Sequence, residues 1–262
     1  MKRFASLLTP HSSRFVILGV LLVTAIALSA CGRKGPVRPP LASLPLAPTE
    51  FVIDQQGNDF LLSWTIPAKN QDGAAAEDLT GFRIYRLVYN AVDGCPTCRD
   101  PDQLVAELNL LRPEPAVRID KRFYWRDANV APGTGHAYRA VPVTVGRQEG
   151  DSVAAFRAWQ TPPAAPTAVS AEAGDRQVQL AWAPPASIPS GTQLVGYNLY
   201  RRPEGGSYPP IPLNAEPRRE ARLVDLSVES GRPLAYRVTT LVRSGEQLLE
   251  SAPSAEATVT PR

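Results

Sequence analysis

The chain contains one strand-like pattern twice, and this repeat is the feature that most restricts its possible folds. In each copy a tryptophan precedes two Tyr-Arg pairs. The tryptophan and the two tyrosines of each copy are called the aromatic marks below. They are Trp64, Tyr85 and Tyr138 in the first copy and Trp182, Tyr200 and Tyr236 in the second. Around the marks apolar and polar residues alternate, as in FRIYR and YRVTTLV. A period of two is typical of β-strands.

Short strands separated by Gly- and Pro-containing turns predict an all-β fold of two tandem sandwiches. The chain has 27 prolines among its 262 residues and no long segment with helical spacing of apolar residues. Each copy is long enough for one hydrophobic core of its own. We place the first sandwich at residues 49–163 and the second at residues 164–262.

Both copies resemble fibronectin type III domains, which are immunoglobulin-like sandwiches. That family has a tryptophan on its second strand, an aromatic-x-x-Tyr motif on its third and a tyrosine opening its sixth. The motif is FRIY at residues 82–85 and YNLY at residues 197–200. The resemblance implies that the six aromatic marks are structural core residues, and that the hydroxyls of Tyr138 and Tyr236 bind the preceding turn. The resemblance does not indicate a particular function, because sandwiches of this family serve many unrelated roles.

The N-terminal residues have the features of an export signal. Lys2, Arg3 and Arg14 precede an uncharged apolar run at residues 15–28, and no acidic residue occurs there. The run is shorter than the roughly 20 residues of a membrane-spanning helix. A basic start, a short apolar run and small residues before a cleavage point are typical of a secretory signal peptide.

The end of this segment resembles the lipobox of bacterial lipoproteins, formed here by Leu28, Ser29, Ala30 and Cys31. The resemblance implies a diacylglyceryl group on the Cys31 thiol, removal of residues 1–30 and N-acylation of the new amino terminus. No other cofactor is expected. Gly32 follows the cysteine where aspartate favours inner-membrane retention, so we expect an outer-membrane anchor facing the periplasm. The alternative is an ordinary buried cysteine at the end of an apolar helix.

Residues 31–48 are rich in proline and predict a semi-rigid linker between the lipid and the first sandwich. The chain has 28 basic and 25 acidic residues. The three basic residues of the signal account for the difference, so the rest of the chain is neutral and nucleic acid is not an expected partner.

After signal removal His136 is the only histidine, which excludes a two-histidine metal site and leaves no catalytic triad. No nucleophile elbow, phosphate loop or dinucleotide fingerprint occurs. We therefore predict no enzyme activity, no catalytic residues and no metal. His136 lies beside a predicted strand and is interpreted as a strand-end residue.

Cys95 and Cys98 lie in a CPTC segment inserted in the first copy. A redox site would need a thiolate-stabilising helix start, and a zinc site would need two further ligands that the chain lacks. We favour a local disulfide formed in an oxidising compartment, which would contribute roughly 2 kcal/mol at most.

Two further features concern the strands and loops. Pro142 falls within the predicted sixth strand of the first copy, where we expect a bulge or an early end to pairing. The second copy carries a loop with Tyr208-Pro209-Pro210 and nearby arginines, which is either a recognition surface or, as we favour, a solvated proline-rich loop.

Taken together, the sequence predicts a non-enzymatic, lipid-anchored envelope protein whose tandem domains act as a binding or spacer module. Its expected partners are the membrane, through the lipid, and other envelope proteins or glycans. A second hypothesis uses the segment CGRKGP at residues 31–36, which is similar to the start of small lipoproteins that assist assembly of the lipopolysaccharide-transport pore. A third is an accessory glycan-binding module.

Overall fold

A computed structural model describes residues 43–262. The predicted signal peptide, the lipobox residues Leu28 to Cys31 and most of the predicted linker lie outside this part of the chain. The described residues form strands and turns without any helix, in agreement with the all-β prediction. Between residues 43 and 262 no helix has the length and apolar character needed to cross a membrane.

The first sandwich consists of two facing sheets. One sheet contains β1, β2, β6 and β5, and the other has the order β4-β3-β7-β8. The strands are β1 (Thr49–Gln56), β2 (Asp59–Thr65), β3 (Leu79–Asn90), β4 (Gln103–Asn109), β5 (Val117–Ile119), β6 (Arg122–Asp127), β7 (Thr134–Thr144) and β8 (Val153–Ala158).

The second sandwich repeats this arrangement with fewer strands. One sheet has the order β12-β10-β9, and the facing sheet pairs β13 with β11, β14 and β15. The strands are β9 (Thr167–Gly174), β10 (Gln177–Ala183), β11 (Gln193–Pro203), β12 (Arg222–Asp225), β13 (Leu234–Ser244), β14 (Gln247–Glu250) and β15 (Ala257–Val259). Its last strand is thus divided into β14 and β15.

Each sandwich buries its own apolar cluster. In β2 the side chains of Phe60, Leu62 and Trp64 alternate toward the first core, and Trp64 packs edge-on against Phe82 of β3 at 5.2 Å between ring centroids. The second core holds Val178, Leu180 and Trp182 of β10 together with Tyr197, Leu199, Tyr236 and Val238. The strands are therefore stabilised because every second side chain is apolar and packs into the core of its own sandwich.

Tyr85, predicted as a core residue, lies on the outer face of the first sandwich. Phe82 and Ile84 take the inward positions on β3, so the alternation of a strand turns Tyr85 outward. There its hydroxyl donates to Glu149 at 2.9 Å and Arg139 stacks over its ring at 4.4 Å. The corresponding Tyr200 also points away from its own core, but it is buried because it faces the first sandwich.

Pro142 pairs with Phe82 inside β7 without a bulge at that position. Its carbonyl accepts a hydrogen bond from Gly150 on the side of β8, so its missing N–H also points to that side. The β7–β8 ladder ends earlier, at the pair Ala140 and Val153. The early end to pairing leaves no ladder position for the absent donor to disrupt.

The last residues of the predicted linker are hydrogen-bonded to the first sandwich. The amide of Leu46 donates to Lys69, and the carbonyl groups of Leu44 and Pro45 accept from Gln71 and Asp151 at 2.9 Å each. Pro45 and Pro48 are buried. The chain thus joins the domain before β1 begins.

Candidate functional site

The two sandwiches are joined by strand pairing, which makes their junction the most distinctive feature of the described structure. Strand β1 of the first sandwich pairs in parallel with β14 of the second, so that Gln55 lies opposite Leu249 and Gln56 opposite Glu250. The amide of Gly57 extends this pairing to the Glu250 carbonyl at 2.8 Å. Gly57 has a φ of 61°, which strains any residue with a Cβ, and an added Cβ would lie only 3.1 Å from the Ala252 backbone, so glycine is strongly favoured here.

A buried arginine connects the two paired strands. Arg157 of β8 donates from Nη1 to the Ile53 carbonyl at 2.9 Å and from Nη2 to the Leu248 carbonyl at 2.6 Å. Only 7% of the residue is exposed. Burial lowers the pKa of its guanidinium, and the nearby carboxylate of Asp54 opposes this shift. One side chain thus supplies donors to backbone acceptors of both sandwiches.

Glutamine side chains tie the connecting segment to the same place. Gln55 donates from Nε2 to the carbonyl of Gln160 at 2.6 Å and accepts from the Gln160 amide at 3.1 Å. The Gln160 side chain in turn donates to Gln247 at 2.7 Å and accepts from Ser244 at 2.8 Å. Because Gln160 lies between β8 and β9, these bonds fix the connection between the sandwiches.

Glu250 is a buried carboxylate that is satisfied entirely by neutral donors. Its Oε2 accepts from Gln56 of the first sandwich at 3.0 Å. Its Oε1 accepts from the Tyr200 hydroxyl at 2.8 Å, from Asn198 at 3.2 Å and from the Thr239 hydroxyl. Burial, and next the charge of Glu250, raise the pKa of Tyr200. A carboxylate buried in this way is stable only while its donors remain in place.

A recess of about 220 Å³ lies next to this polar cluster, between the two sandwiches. Asp54, Leu61 and Tyr124 line it from the first sandwich, and Tyr200 and Ile211 from the second. Asp54 remains accessible to solvent, yet the packed surroundings raise the pKa of its carboxyl, while Arg157 and Arg122 oppose the rise.

Each sandwich also contains one buried Tyr-Asp-Arg group. In the first, Asp127 accepts from the Tyr138 hydroxyl at 2.7 Å and from Arg86 at 2.9 Å, and its second oxygen accepts from the Asn129 amide. In the second, the Asp225 carboxylate accepts in the same way from Tyr236 at 2.9 Å, Arg201 at 2.7 Å and the Ser227 amide. Tyr138 of β7 and Tyr236 of β13 thus each fix the turn that precedes their strand, as the family resemblance implies.

Each sandwich has the all-β, two-sheet arrangement expected of an immunoglobulin-like fold. Among solved structures, an Fn3-like protein from Clostridium thermocellum shares 26% identity with this chain, covering 39% of it and 96% of its own length, with a TM-score of 0.30. The FN1–FN3 domains of chicken CNTN1 share 13% identity over 86% of this chain and 70% of theirs, with a TM-score of 0.34. No protein-family model and no curated protein matches the sequence.

Burial shifts the pKa values of side chains in the two Tyr-Asp-Arg groups described above. Burial first, and then the neighbouring carboxylate, raise the pKa of both Tyr138 and Tyr236. Burial alone would raise the pKa of Asp225, but the hydrogen bonds from Ser227, Tyr236 and Arg201 outweigh it, and the pKa falls below its usual value. The second group therefore keeps an ionised Asp225 carboxylate beside a protonated Tyr236 hydroxyl.

His136 is the third residue of β7 in the first sandwich, close to the start of the strand as the sequence suggests, and it is buried. Its ring lies 5.5 Å from Phe60, edge to face, and its nitrogens contact the hydroxyls of Thr134 and Tyr138. Burial first, and then the charge of Arg86, lower the pKa of His136 to about 4. The imidazole is therefore neutral at pH 7 and belongs to the core.

The proline-rich loop of the second domain is attached to the sheet by its tyrosine. The guanidinium groups of Arg202 and Arg237 lie 5.4 and 4.8 Å from the centre of the Tyr208 ring, and the Tyr208 hydroxyl donates to Glu256 at 2.8 Å. Partial burial and this hydrogen bond raise the pKa of Tyr208 to about 12. The loop then places Pro210 and Ile211 at the recess between the domains.

The disulfide predicted between Cys95 and Cys98 is present in the turn between β3 and β4, with the Cα atoms 5.5 Å apart. Both residues lie at the surface and contact neither core. Residues 43–262 hold no group of three histidine, cysteine or acidic side chains arranged to bind a metal ion.

Proposed function

We propose that this protein is a non-enzymatic, lipid-anchored module of the bacterial envelope in which two fibronectin type III-like domains form one rigid body. The observation that carries the proposal is the parallel pairing of β1 with β14. Domains joined only by a linker move relative to each other by default. Here a shared sheet joins them instead, which suits a spacer that holds binding surfaces in a fixed arrangement.

The polar groups at the junction support a permanent rather than a transient contact. Arg157, Gln55 and Glu250 are each less than 8% exposed, and each bonds to the other sandwich or to the connecting segment. Opening the junction would break these hydrogen bonds, and only water could then replace the lost partners. Breaking a buried hydrogen bond to a charged group costs about 1.5–3 kcal/mol.

The lipid anchor rests on the lipobox resemblance of residues 28–31, and mass spectrometry of protein purified from cells tests it. We expect the first residue of the mature chain to be Cys31, carrying a diacylglyceryl group and an N-acyl chain. The Cys31→Ala variant is the matched control and should lack both groups. Wild-type protein with an unmodified amino terminus upstream of residue 31 would refute the anchor.

The hypothesis of an outer-membrane assembly factor differs from a spacer because its active part would be residues 31–40. Its support is the CGRKGP segment, which lies outside the described residues. Grafting residues 31–40 onto an unrelated lipoprotein separates the two functions. An assembly activity that follows the graft supports the assembly factor, whereas an activity that needs the two domains supports the spacer.

A further inference from the structure

The second sandwich carries an open cavity of about 430 Å³ on the side where β11 begins and β13 ends. Its six lining residues are Gln193, Leu194, Val195, Gly196, Arg219 and Arg243. Two of the six are arginines and none is acidic. The cavity does not share a lining residue with the recess between the sandwiches.

The charges of the two arginines are not neutralised by the residues that the structure describes. Arg219 and Arg243 are both exposed, and neither guanidinium forms an ion pair or a side-chain hydrogen bond within residues 43–262. The carboxylate next to Arg219 in the sequence, Glu220, is paired with Arg222 at 2.9 Å instead. The cavity wall is therefore positive.

Both arginines are attached to backbone that strand pairing holds in place. Arg243 lies opposite Gln193 in the β11–β13 ladder. Arg219 follows Arg218, whose amide and carbonyl exchange hydrogen bonds with Tyr197 at 2.9 and 2.8 Å. A Cβ on Gly196 would lie 2.6 Å from the Arg218 carbonyl oxygen, so only glycine permits this approach of the loop to β11.

The lining fits a ligand that carries an oxyanion and an organic group. Guanidinium donors match phosphate oxygens in a bidentate geometry, and two of them beside one cavity favour a group with several acceptor oxygens. Leu194 is 45% exposed and, with Val195, offers apolar surface to the remainder of such a ligand. We propose that this cavity binds the phosphate group of a small phosphorylated molecule or of a phospholipid headgroup, using Arg219 and Arg243.

Titration of the full chain with inorganic phosphate tests this proposal, with ¹⁵N NMR in a neutral detergent at constant ionic strength. We expect saturable shifts of the Val195 and Gly196 amides. The double variant Arg219→Gln/Arg243→Gln should bind phosphate at least tenfold more weakly. The control Arg232→Gln removes an exposed arginine paired with Glu229 at the other end of β13 and should leave binding unchanged.

The single variants Arg219→Gln and Arg243→Gln give a second reading should the double variant fail to fold, and each should weaken binding severalfold. Shifts that do not saturate, or that persist equally in the variants, would overturn the proposal. Nanodiscs of phosphatidylglycerol and of phosphatidylcholine distinguish whether the bound phosphate belongs to a phospholipid headgroup or to a soluble molecule. Arginine-dependent shifts in phosphatidylglycerol without added phosphate indicate a headgroup, whereas shifts that require added phosphate in both membranes indicate a soluble ligand.

Discussion

The guanidinium of Arg157 donates to the backbone carbonyl of Leu248, 91 residues further along the chain, at 2.6 Å. The same group donates to Ile53 on the strand that pairs with the Leu248 strand. A single side chain of the first sandwich therefore stabilises the contact on which the proposed spacer function depends.

Replacing this residue by methionine tests its contribution. Arg157→Met keeps much of the side-chain volume but removes the guanidinium donors to the Ile53 and Leu248 carbonyl groups. We expect the free energy of unfolding, measured with urea, to fall by about 2–4 kcal/mol. Arg222→Met, at a position where 76% of the side chain is exposed, should change it by less than about 0.5 kcal/mol. Equal stability of the two variants would show that the Arg157 bonds contribute nothing.

The buried histidine predicts a loss of stability in mild acid. The pKa of His136 is 6.5 when unperturbed and about 4 in the folded protein. Between these values the unfolded chain binds the proton more readily, so lowering the pH from 7 to 4 reduces the free energy of unfolding, by up to about 3 kcal/mol.

His136→Leu tests this origin, because Leu234 stands at the corresponding position of the second copy. The variant should lose less stability than the wild type between pH 7 and 4 in matched urea titrations. The contribution of other titrating groups is common to both proteins. Identical pH profiles for the two proteins would contradict the assignment to His136.

The two Tyr-Asp-Arg groups predict equivalent effects in the two sandwiches. Tyr138→Phe and Tyr236→Phe each remove a hydroxyl donor from a buried carboxylate, and each should lower the free energy of unfolding by about 1.5–3 kcal/mol. Tyr124→Phe is the control, because the Tyr124 hydroxyl has no hydrogen-bond partner among residues 43–262. If all three variants were equally stable, these tyrosines would not stabilise the turns.

The fold could be predicted from the sequence because its determinants are local. Trp64, Trp182 and their apolar neighbours repeat at period two, and that pattern alone selects strands with one buried face. The position of Tyr85 also follows from the period, since Phe82 and Ile84 already occupy the core face. The family resemblance assigned Tyr85 to the core nonetheless, and the structure places it outside.

The junction could not be predicted because it consists of polar residues far apart in the chain. Gln55, Arg157 and Glu250 stand in strands whose patterns are ordinary, and nothing near them in the sequence indicates a buried partner. Their burial follows from how the two sandwiches pack, as does that of Tyr200. The burial of His136 could not be predicted for a similar reason, since a polar residue at a strand start is usually exposed.

We expect the disulfide to contribute only a little to the stability of the folded protein. Cys95 and Cys98 close a four-residue ring at the surface, for which loop entropy gives at most about 2 kcal/mol. Thiol labelling of exported protein should find both residues blocked until a reductant is added, and Cys95→Ser/Cys98→Ser should still fold. Free thiols in the oxidised protein, or a double variant that fails to fold, would contradict this account.

The most direct test of the rigid two-domain body is a distance measured between the sandwiches by electron paramagnetic resonance. Spin labels at Val117→Cys on β5 and Val224→Cys on β12 use exposed strand positions, one in each sandwich, while the disulfide protects Cys95 and Cys98 from labelling. We expect one narrow distance distribution that broadens in Arg157→Met. A broad or multiple distribution in the otherwise unmodified protein would contradict it.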